Sequence, residues 1–411
     1  MNPRPLRILS KAQLRHVWNA SRDSRSSPGA PGADRIRAVT FAANLDENLS
    51  RIHSKLAAGS YRFSGLRPVF IPKPLSDKER LICIPTVSDR LVQRVVVEHL
   101  SSKPTLPVYN SSSFGFVKGS GTQEAITKAL EYRNRFGWVI KTDIEQFFDT
   151  IPRNIVKEKV HKLLRQSSLN PIIDMIVDTE INRHDQYVTK LSKMGIERGK
   201  GLRQGMPISP FLANILLADF DRQVEKRAMP MIRYADDIVL MFESEQKARD
   251  GLSYVGDLLA QLSLSLPGLG EGSKTEIVGP QDAFGFLGRK IMYSSADARY
   301  HACISKGQIG KIAHEIQCRY SLDALLKTKE TFNPAIVALN TTIRTYLGIY
   351  QDAQNFPTFR ARMDEVKRNV IRRLFGGLFG EDVIKRLSPE KRAFLALGLT
   401  RADDGLETVG E

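Results

Sequence analysis

Asp236 and Asp237 stand side by side in the stretch Met231-Ile232-Arg233-Tyr234-Ala235-Asp236-Asp237-Ile238-Val239-Leu240-Met241, between two short apolar runs. Period and length predict a β-hairpin with both carboxylates at its tip. Folding gives no reason for adjacent acids there, and carboxylates this close repel unless a cation joins them. Mg²⁺ suits that role, because it takes oxygen ligands and leaves room for substrate phosphates. Aspartate is also a common turn residue, so the tetrapeptide alone leaves an ordinary turn open. A third acid adds weight. The run Trp138-Val139-Ile140-Lys141-Thr142-Asp143 predicts a strand that delivers Asp143 at its C-terminal end, where sheet-based sites gather. Three such acids can hold two metal ions roughly 3.5–4 Å apart, which activate an attacking oxygen and stabilise a leaving pyrophosphate. The chemistry is then phosphoryl transfer by positioning and charge.

The elements around these acids supply further candidates. Arg67-Pro68-Val69-Phe70-Ile71-Pro72-Lys73-Pro74 is extended by its prolines, and Arg80 opens a second apolar run ending at Pro85. A hairpin with Lys73 and Arg80 near its base can clamp a triphosphate through a point charge and a guanidinium fork. The segment Ser113-Phe114-Gly115-Phe116-Val117-Lys118-Gly119-Ser120-Gly121-Thr122 lacks the Gly-Lys-Ser/Thr of a P-loop. Its glycines permit close backbone approach, and a helix begins near Gln123. In Gly201-Leu202-Arg203-Gln204-Gly205-Met206-Pro207-Ile208-Ser209-Pro210, the glycine-flanked Gln204 can present an amide and bare backbone to a nucleotide before a core helix. Helical periodicity also predicts a helix over Phe41–Leu56 and another around Leu252–Leu262, while Ser273–Val278 and Phe284–Ile291 read as strands. From about residue 305 the pattern is helical and ends in a basic helix with Arg360, Arg362, Lys367, Arg368, Arg372 and Arg373.

The 411 residues are enough for two or three domains or one multi-lobed enzyme, and 42% hydrophobic content supports a core. A formal net charge of +16, from 61 Lys+Arg against 45 Asp+Glu, favours a polyanionic partner such as nucleic acid. Cys83, Cys303 and Cys318 are scattered without a C-x-x-C pair, which excludes a disulfide framework or zinc site and fits a reducing compartment. No signal-peptide core or membrane-length apolar stretch is present, so a cytoplasmic protein with no membrane partner is expected.

Taken in order, these motifs resemble those of reverse transcriptases along nearly the whole chain. Ile71-Pro72-Lys73 with Arg80, Ile84-Pro85 and Asp89-Arg90 resembles the first fingers motif. Phe114-Gly115-Phe116 with Gly119 resembles the second, with Val117 where relatives often carry arginine. Asp143 with Phe147-Phe148-Asp149 is similar to motif A, Gln204-Gly205 with Ser209-Pro210 to motif B, and Tyr234-Ala235-Asp236-Asp237 to motif C. Lys274 falls in motif D and Phe286-Leu287-Gly288 in the primer-grip motif.

The resemblance implies an α/β (α+β) right-hand polymerase: fingers and palm with an antiparallel palm sheet, then a helical thumb. It implies Asp143, Ile144, Asp236 and Asp237 as ligands of two Mg²⁺ ions, with Mn²⁺ as an alternative. Asp143, Asp236, Asp237 and Lys274 are the catalytic residues so implied, Lys274 by protonating pyrophosphate. Lys73, Arg80, Phe148 and Gln204 are the nucleotide-binding residues, Phe148 lying beneath the sugar of the incoming deoxynucleoside triphosphate. Phe286, Leu287 and Gly288 form the primer grip, and Arg360, Arg368, Arg372 and Arg373 bind nucleic acid.

The corresponding domains are a basic N-terminal helical extension over 1–65, fingers and palm over 66–300, and a helical thumb region over 301–411. Within the family, Gly29-Ala30-Pro31-Gly32-Ala33-Asp34 and Thr342 to Tyr350 resemble bacterial enzymes of the group II intron lineage. A Cys/His-rich endonuclease tail is not read, so a stand-alone enzyme is expected. Such an enzyme resembles the defence-associated unknown-group reverse transcriptases, which copy a structured non-coding RNA into cDNA. Two other readings stay open: a maturase-like RNA-binding protein that folds an intron, and a template-independent DNA polymerase of the abortive-infection type.

Overall fold

The structure is a computed structural model and describes residues 7–21, 23, 29–72, 79–165, 167–182, 185–380, 382 and 386. In chain order its elements begin with α1 (Lys11–Ala20), α2 (Ala38–Ala43), α3 (Leu45–Ala57), β1 (Arg67–Pro72), β2 (Glu79–Ile84), α4 (Val87–Ser101) and α5 (Thr122–Arg133). Next come β3 (Trp138–Asp143), α6 (Phe147–Thr150), α7 (Arg153–Leu164), α8 (Asn170–Val177), α9 (Asp185–Lys193) and α10 (Ser209–Lys226). The hairpin strands β4 (Met231–Tyr234) and β5 (Asp237–Phe242) precede α11 (Glu245–Ala260), β6 (Glu276–Val278), β7 (Phe284–Phe286), β8 (Arg289–Ser294) and β9 (Arg299–Cys303). The chain continues through α12 (Lys306–Arg319), α13 (Leu322–Thr328), α14 (Phe332–Tyr350) and α15 (Phe356–Phe379).

Helix starts follow the local chemistry. Thr86 Oγ1 accepts from Asp89 N–H at 3.1 Å to open α4, and Ser305 Oγ accepts from Gln308 N–H at 3.1 Å to open α12. The single helix predicted over Phe41–Leu56 is two, because Asn44 (φ −122°, ψ 43°) leaves helical geometry between α2 and α3. The strand predicted over Ser273–Val278 shortens to β6, since Ser273 Oγ donates to Gly268 O and accepts Thr275 N–H in a turn.

The chain forms two compact units: residues 1–121 with 138–277, and residues 122–137 with 278–411. Residues 1–65 contribute Leu14, Trp18, Phe41, Leu49 and Ile52 to the first unit's core, and that unit ends at Ile277. The first unit holds the β1–β2 hairpin and a sheet in the order β4-β5-β3-β6. In that sheet β3 and β4 both pair antiparallel with β5. The buried face of the sheet, with Ile140, Ile238 and Leu240, joins α10 residues Phe211, Leu212 and Leu216 in the main core. Apolar burial of this extent is the principal stabilising term.

The second unit holds the antiparallel β7-β8-β9 sheet and a helical core of Ile312, Ile316, Leu339, Ile343, Phe359, Met363 and Val370. Helix α5 belongs to it. The buried Arg133 donates to the carbonyls of Gly137, Gly279 (2.6 Å) and Asp282 (3.2 Å), with its guanidinium 4.5 Å from the Tyr300 ring centroid. Among the described residues, no helix is long and apolar enough to cross a membrane.

Candidate active site

The three acids meet at one end of the first unit's sheet. Asp143, the last residue of β3, is the register partner of Asp237, the first of β5. Asp236 alone lies in the turn, while Asp237 already pairs with Tyr234. The expectation of both carboxylates at the tip is corrected to this extent: cross-strand pairing draws Asp237 into the ladder. Ala235, at φ 58°, takes the left-handed position that lets the turn close. Ile144 follows Asp143 and donates its N–H to Asp236 O at 3.1 Å, so the two chain segments are tied at the acids themselves.

The electrostatics reflect crowding. Burial raises the Asp236 carboxyl above its ordinary value, and the Asp143 charge adds to this against the opposing Lys274 and Arg80. Burial, with the charges of Asp236 and Asp143, pushes Asp237 up to about 6. Asp143 is buried; its Oδ2 accepts an ion-paired hydrogen bond from Lys274 Nζ, and its buried Oδ1 has no hydrogen-bond partner. For Lys274, partial burial favours the neutral amine, yet the Asp143 hydrogen bond and the three acidic charges prevail and raise its value. Among the described residues, no group of three His, Cys, Asp or Glu side chains is arranged as a finished metal cluster. The donors assembled here are nevertheless all oxygens around an orphaned carboxylate oxygen, a set that fits a hard divalent cation.

Behind the turn lies a residue that the sequence did not single out. Arg233 is fully buried, and all five of its side-chain donors are used. Nε and Nη2 donate to the two Asp221 oxygens at 2.7 and 2.6 Å, and Nη2 also reaches Ser113 Oγ at 2.8 Å. Nη1 donates to Asn214 Oδ1 and to Ala235 O, each at 3.0 Å. The guanidinium thus fastens the carbonyl of the residue before Asp236 to helix α10. Gly115 is pressed against the same turn: a Cβ there would lie 2.4 Å from Ala235 N, so only glycine fits. Val117, at the position where relatives often carry arginine, is buried.

The nucleotide-side residues are also connected. Cys83 N–H donates to Gln204 O at 2.7 Å, which joins the β1–β2 hairpin to the loop before α10. Gly205 makes this possible, because a Cβ at its φ of +104° would lie 2.4 Å from Cys83 O. Arg80 is exposed on β2 opposite Ile71, and its charge is felt at Asp236. Gln204 is half-buried. Phe147 is core, and Phe148 beside it is half-buried with the ring centroids 5.3 Å apart. Lys73 lies outside the described residues.

The remaining site residues lie in the second unit. Phe286 is buried, and Leu287 (φ 47°) with Gly288 (φ 76°) makes the turn from β7 to β8. A Cβ at Gly288 would lie 2.6 Å from the Tyr350 hydroxyl, and neighbouring Arg289 reaches Ile349 O and Asp352. On α15, Arg368, Arg372 and Arg373 are exposed and Arg360 is half-buried, while Lys367 is buried.

A family model described as reverse transcriptase (RNA-dependent DNA polymerase) matches residues 71–291. The chain is 26% identical to Protein YkfC of Escherichia coli (strain K12) over 337 residues, covering 70% of this chain and 83% of that protein. It is 26% identical over 191 residues to the group II intron-encoded protein LtrA of Lactococcus lactis subsp. cremoris, covering 46% of this chain and 30% of LtrA. The putative COX1/OXI3 intron 1 protein of Saccharomyces cerevisiae is 30% identical over 191 residues, 43% of this chain and 20% of that protein. The chain therefore spans less than a third of the length of these two intron proteins. Among solved structures, apo telomerase from Candida Tropicalis is similar with a TM-score of 0.43 and 13% identity, covering 87% of this chain and 72% of that one.

Proposed function

The chain belongs to the reverse transcriptase family, and from that premise we propose that it copies a dedicated structured non-coding RNA into DNA, in the cytoplasm of a bacterium and in defence against phage. As an RNA-directed DNA polymerase it has the family's right-hand fold, built here of antiparallel sheets and flanking helices. One observation carries the assignment of the chemistry: Asp143 and Asp237 face each other across paired strands, Asp236 adjoins them, and a buried Asp143 oxygen lacks a partner.

Asp143, Asp236, Asp237 and the Ile144 carbonyl would hold Mg²⁺, or Mn²⁺ in its place. When bound, two such ions supply Lewis-acid activation at the primer 3′-hydroxyl and charge neutralisation on pyrophosphate. The protein's own groups do the rest. Lys274, kept protonated by three neighbouring acids, holds the proton that the leaving pyrophosphate needs. Arg80 and Lys73 clamp the triphosphate, and the Gln204 loop packs on the nucleotide. Phe148 underlies the sugar, where its ring would collide with a 2′-hydroxyl and so select deoxynucleotides.

Support for a structured RNA comes from the +16 charge and the exposed arginines of α15, since RNA helices are recognised by shape, phosphate and 2′-hydroxyl contacts. The defence setting rests on likeness to defence-associated family members. A second reading, a maturase-like protein bound to an intron RNA, is favoured by the intron-encoded relatives. Expressing the gene with its flanking DNA and sequencing the bound nucleic acids tests both. One dominant neighbouring locus with matching cDNA supports the proposal, and intron RNA without cDNA supports the second reading. Reads scattered over cellular RNAs, with no cDNA from any one locus, sink the proposal.

A further inference from the structure

The main chain of Phe148 is held from outside its own helix. Its carbonyl accepts Leu202 N–H at 2.7 Å, and Gly201 N–H donates to Ile151 O at 2.9 Å. Gly201 lies so close that a Cβ at its φ of +81° would sit 2.6 Å from Asp149 O and 2.8 Å from Phe148 O. The 199–202 loop is therefore a wall against which this backbone rests. That wall is braced by two residues outside every motif described above. Arg153 Nε donates to Gly201 O at 2.9 Å, and its Nη1 donates to Glu180 Oε1 at 2.7 Å. The same Glu180 oxygen accepts Gly199 N–H at 2.7 Å.

Arg153 is 5% exposed and Glu180 24%, and a charge pair with one end buried is a modest source of stability at best. Its hydrogen bonds are aimed at the loop at the expense of other atoms: Arg153 Nη2 and Glu180 Oε2 are buried without partners. We propose that Arg153 and Glu180 are positioning residues for sugar selection, fixing the height of the Phe148 ring through Gly201 and Leu202. A shift of the ring by a fraction of its thickness opens room for a 2′-hydroxyl, and displacements near 1 Å are enough to change rates about 10²-fold. The inference rests on the reading of Phe148 as the sugar gate.

The test measures kcat/KM for a ribonucleotide and the matching deoxyribonucleotide in Glu180→Gln, Arg153→Met, Phe148→Ala and the Phe148→Ala/Glu180→Gln double variant, with Tm for each. Glu180→Gln keeps shape and alters the brace alone, so it serves even if Arg153→Met fails to fold. The expected result is a several-fold rise in relative ribonucleotide use in Glu180→Gln that disappears in the Phe148→Ala background. A lowered Tm with both substrates reduced equally would make the pair merely structural and overturn the inference. If Phe148→Ala itself leaves the ratio fixed, the gate reading fails. If Phe148→Ala raises the ratio and the brace variants do not, the brace inference alone falls.

Discussion

Arg233 and Asp221 form a two-bond ion pair with neither side chain exposed to water, one residue on β4 and the other on α10. The pair and its neighbours Asn214 and Ser113 hold Ala235 O, and through it the turn that carries Asp236. Asp221→Ala strands a guanidinium in the core and should cost about 3–5 kcal/mol of stability. Chemical denaturation measures this. A loss under 1 kcal/mol (about the value of an exposed pair) would mean the site is wetter than its burial implies.

The acids should be individually indispensable. Asp143→Ala or Asp236→Ala should lower nucleotide incorporation about 10³-fold or more, the scale of losing a group that stabilises transition-state charge. RNA binding and Tm should change little, because neither side chain anchors the core. Near-normal primer extension by either variant would remove these residues from the chemistry.

The pH dependence has a definite sign. Asp237 titrates at about 6, above the ordinary 3.8, so the folded protein binds this proton more tightly than the unfolded chain. Without divalent ions its contribution to stability is therefore greatest at low pH and is lost as pH rises through about 6. A divalent cation competes with the same proton. Mg²⁺ should raise Tm at pH near 8, and progressively less as pH falls through about 6. Asp237→Asn should flatten that trend, and an equal Mg²⁺ effect on both sides of it would locate the ion elsewhere.

The exposed arginines of α15 should behave as phosphate-binding groups. Reversing Arg368 and Arg372 to glutamate should weaken RNA binding and reduce the slope of log K on log[salt] by roughly 1.4–1.8, at about 0.7–0.9 for each phosphate no longer neutralised. An unchanged slope returns the two residues to ordinary solvated surface.

Gly288 and Tyr350 make a tight fit within the second unit, and Gln308 Nε2 donates to the Tyr350 hydroxyl at 3.2 Å. Gly288→Ala combines a left-handed backbone with a steric clash and should destabilise by about 1–3 kcal/mol. Adding Tyr350→Phe removes the blocking oxygen and should restore part of this. No recovery in the double variant would place the whole cost in the backbone.

The acids were legible because residue type and strand ends coincide: an aspartate closing an apolar run has few structural excuses. The turn geometry was less so, since register and not composition decides that Asp237 joins the ladder. Arg233 was hidden because one arginine in a short strand looks like the solvent-facing member of an alternating pair. A signal did exist in Asn214 and Asp221, seven residues apart and so on one face of an otherwise apolar helix. Arg153 and Glu180 carry no local signal, because what defines them is a loop that neither adjoins in sequence. The surroundings of Phe286–Gly288 were likewise unreadable, since Tyr350 packs against Gly288 from 62 residues away in the chain and Asp352 pairs with Arg289 from 63 residues away.

Helix α5 carries a consequence for synthesis on the ribosome. Arg133 waits for Gly279, 146 residues downstream, and Asn134 waits for Tyr300, 166 residues downstream. At roughly 5–20 residues per second, α5 emerges about seven to thirty-three seconds before these partners exist. During that interval the carbonyls of Gly279 and Asp282 that Arg133 binds have not been made. The first unit's chain is complete by residue 277, before those partners have been made. Slow codons or a chaperone acting between residues 134 and 279 would protect the nascent chain more than the same help given at either end.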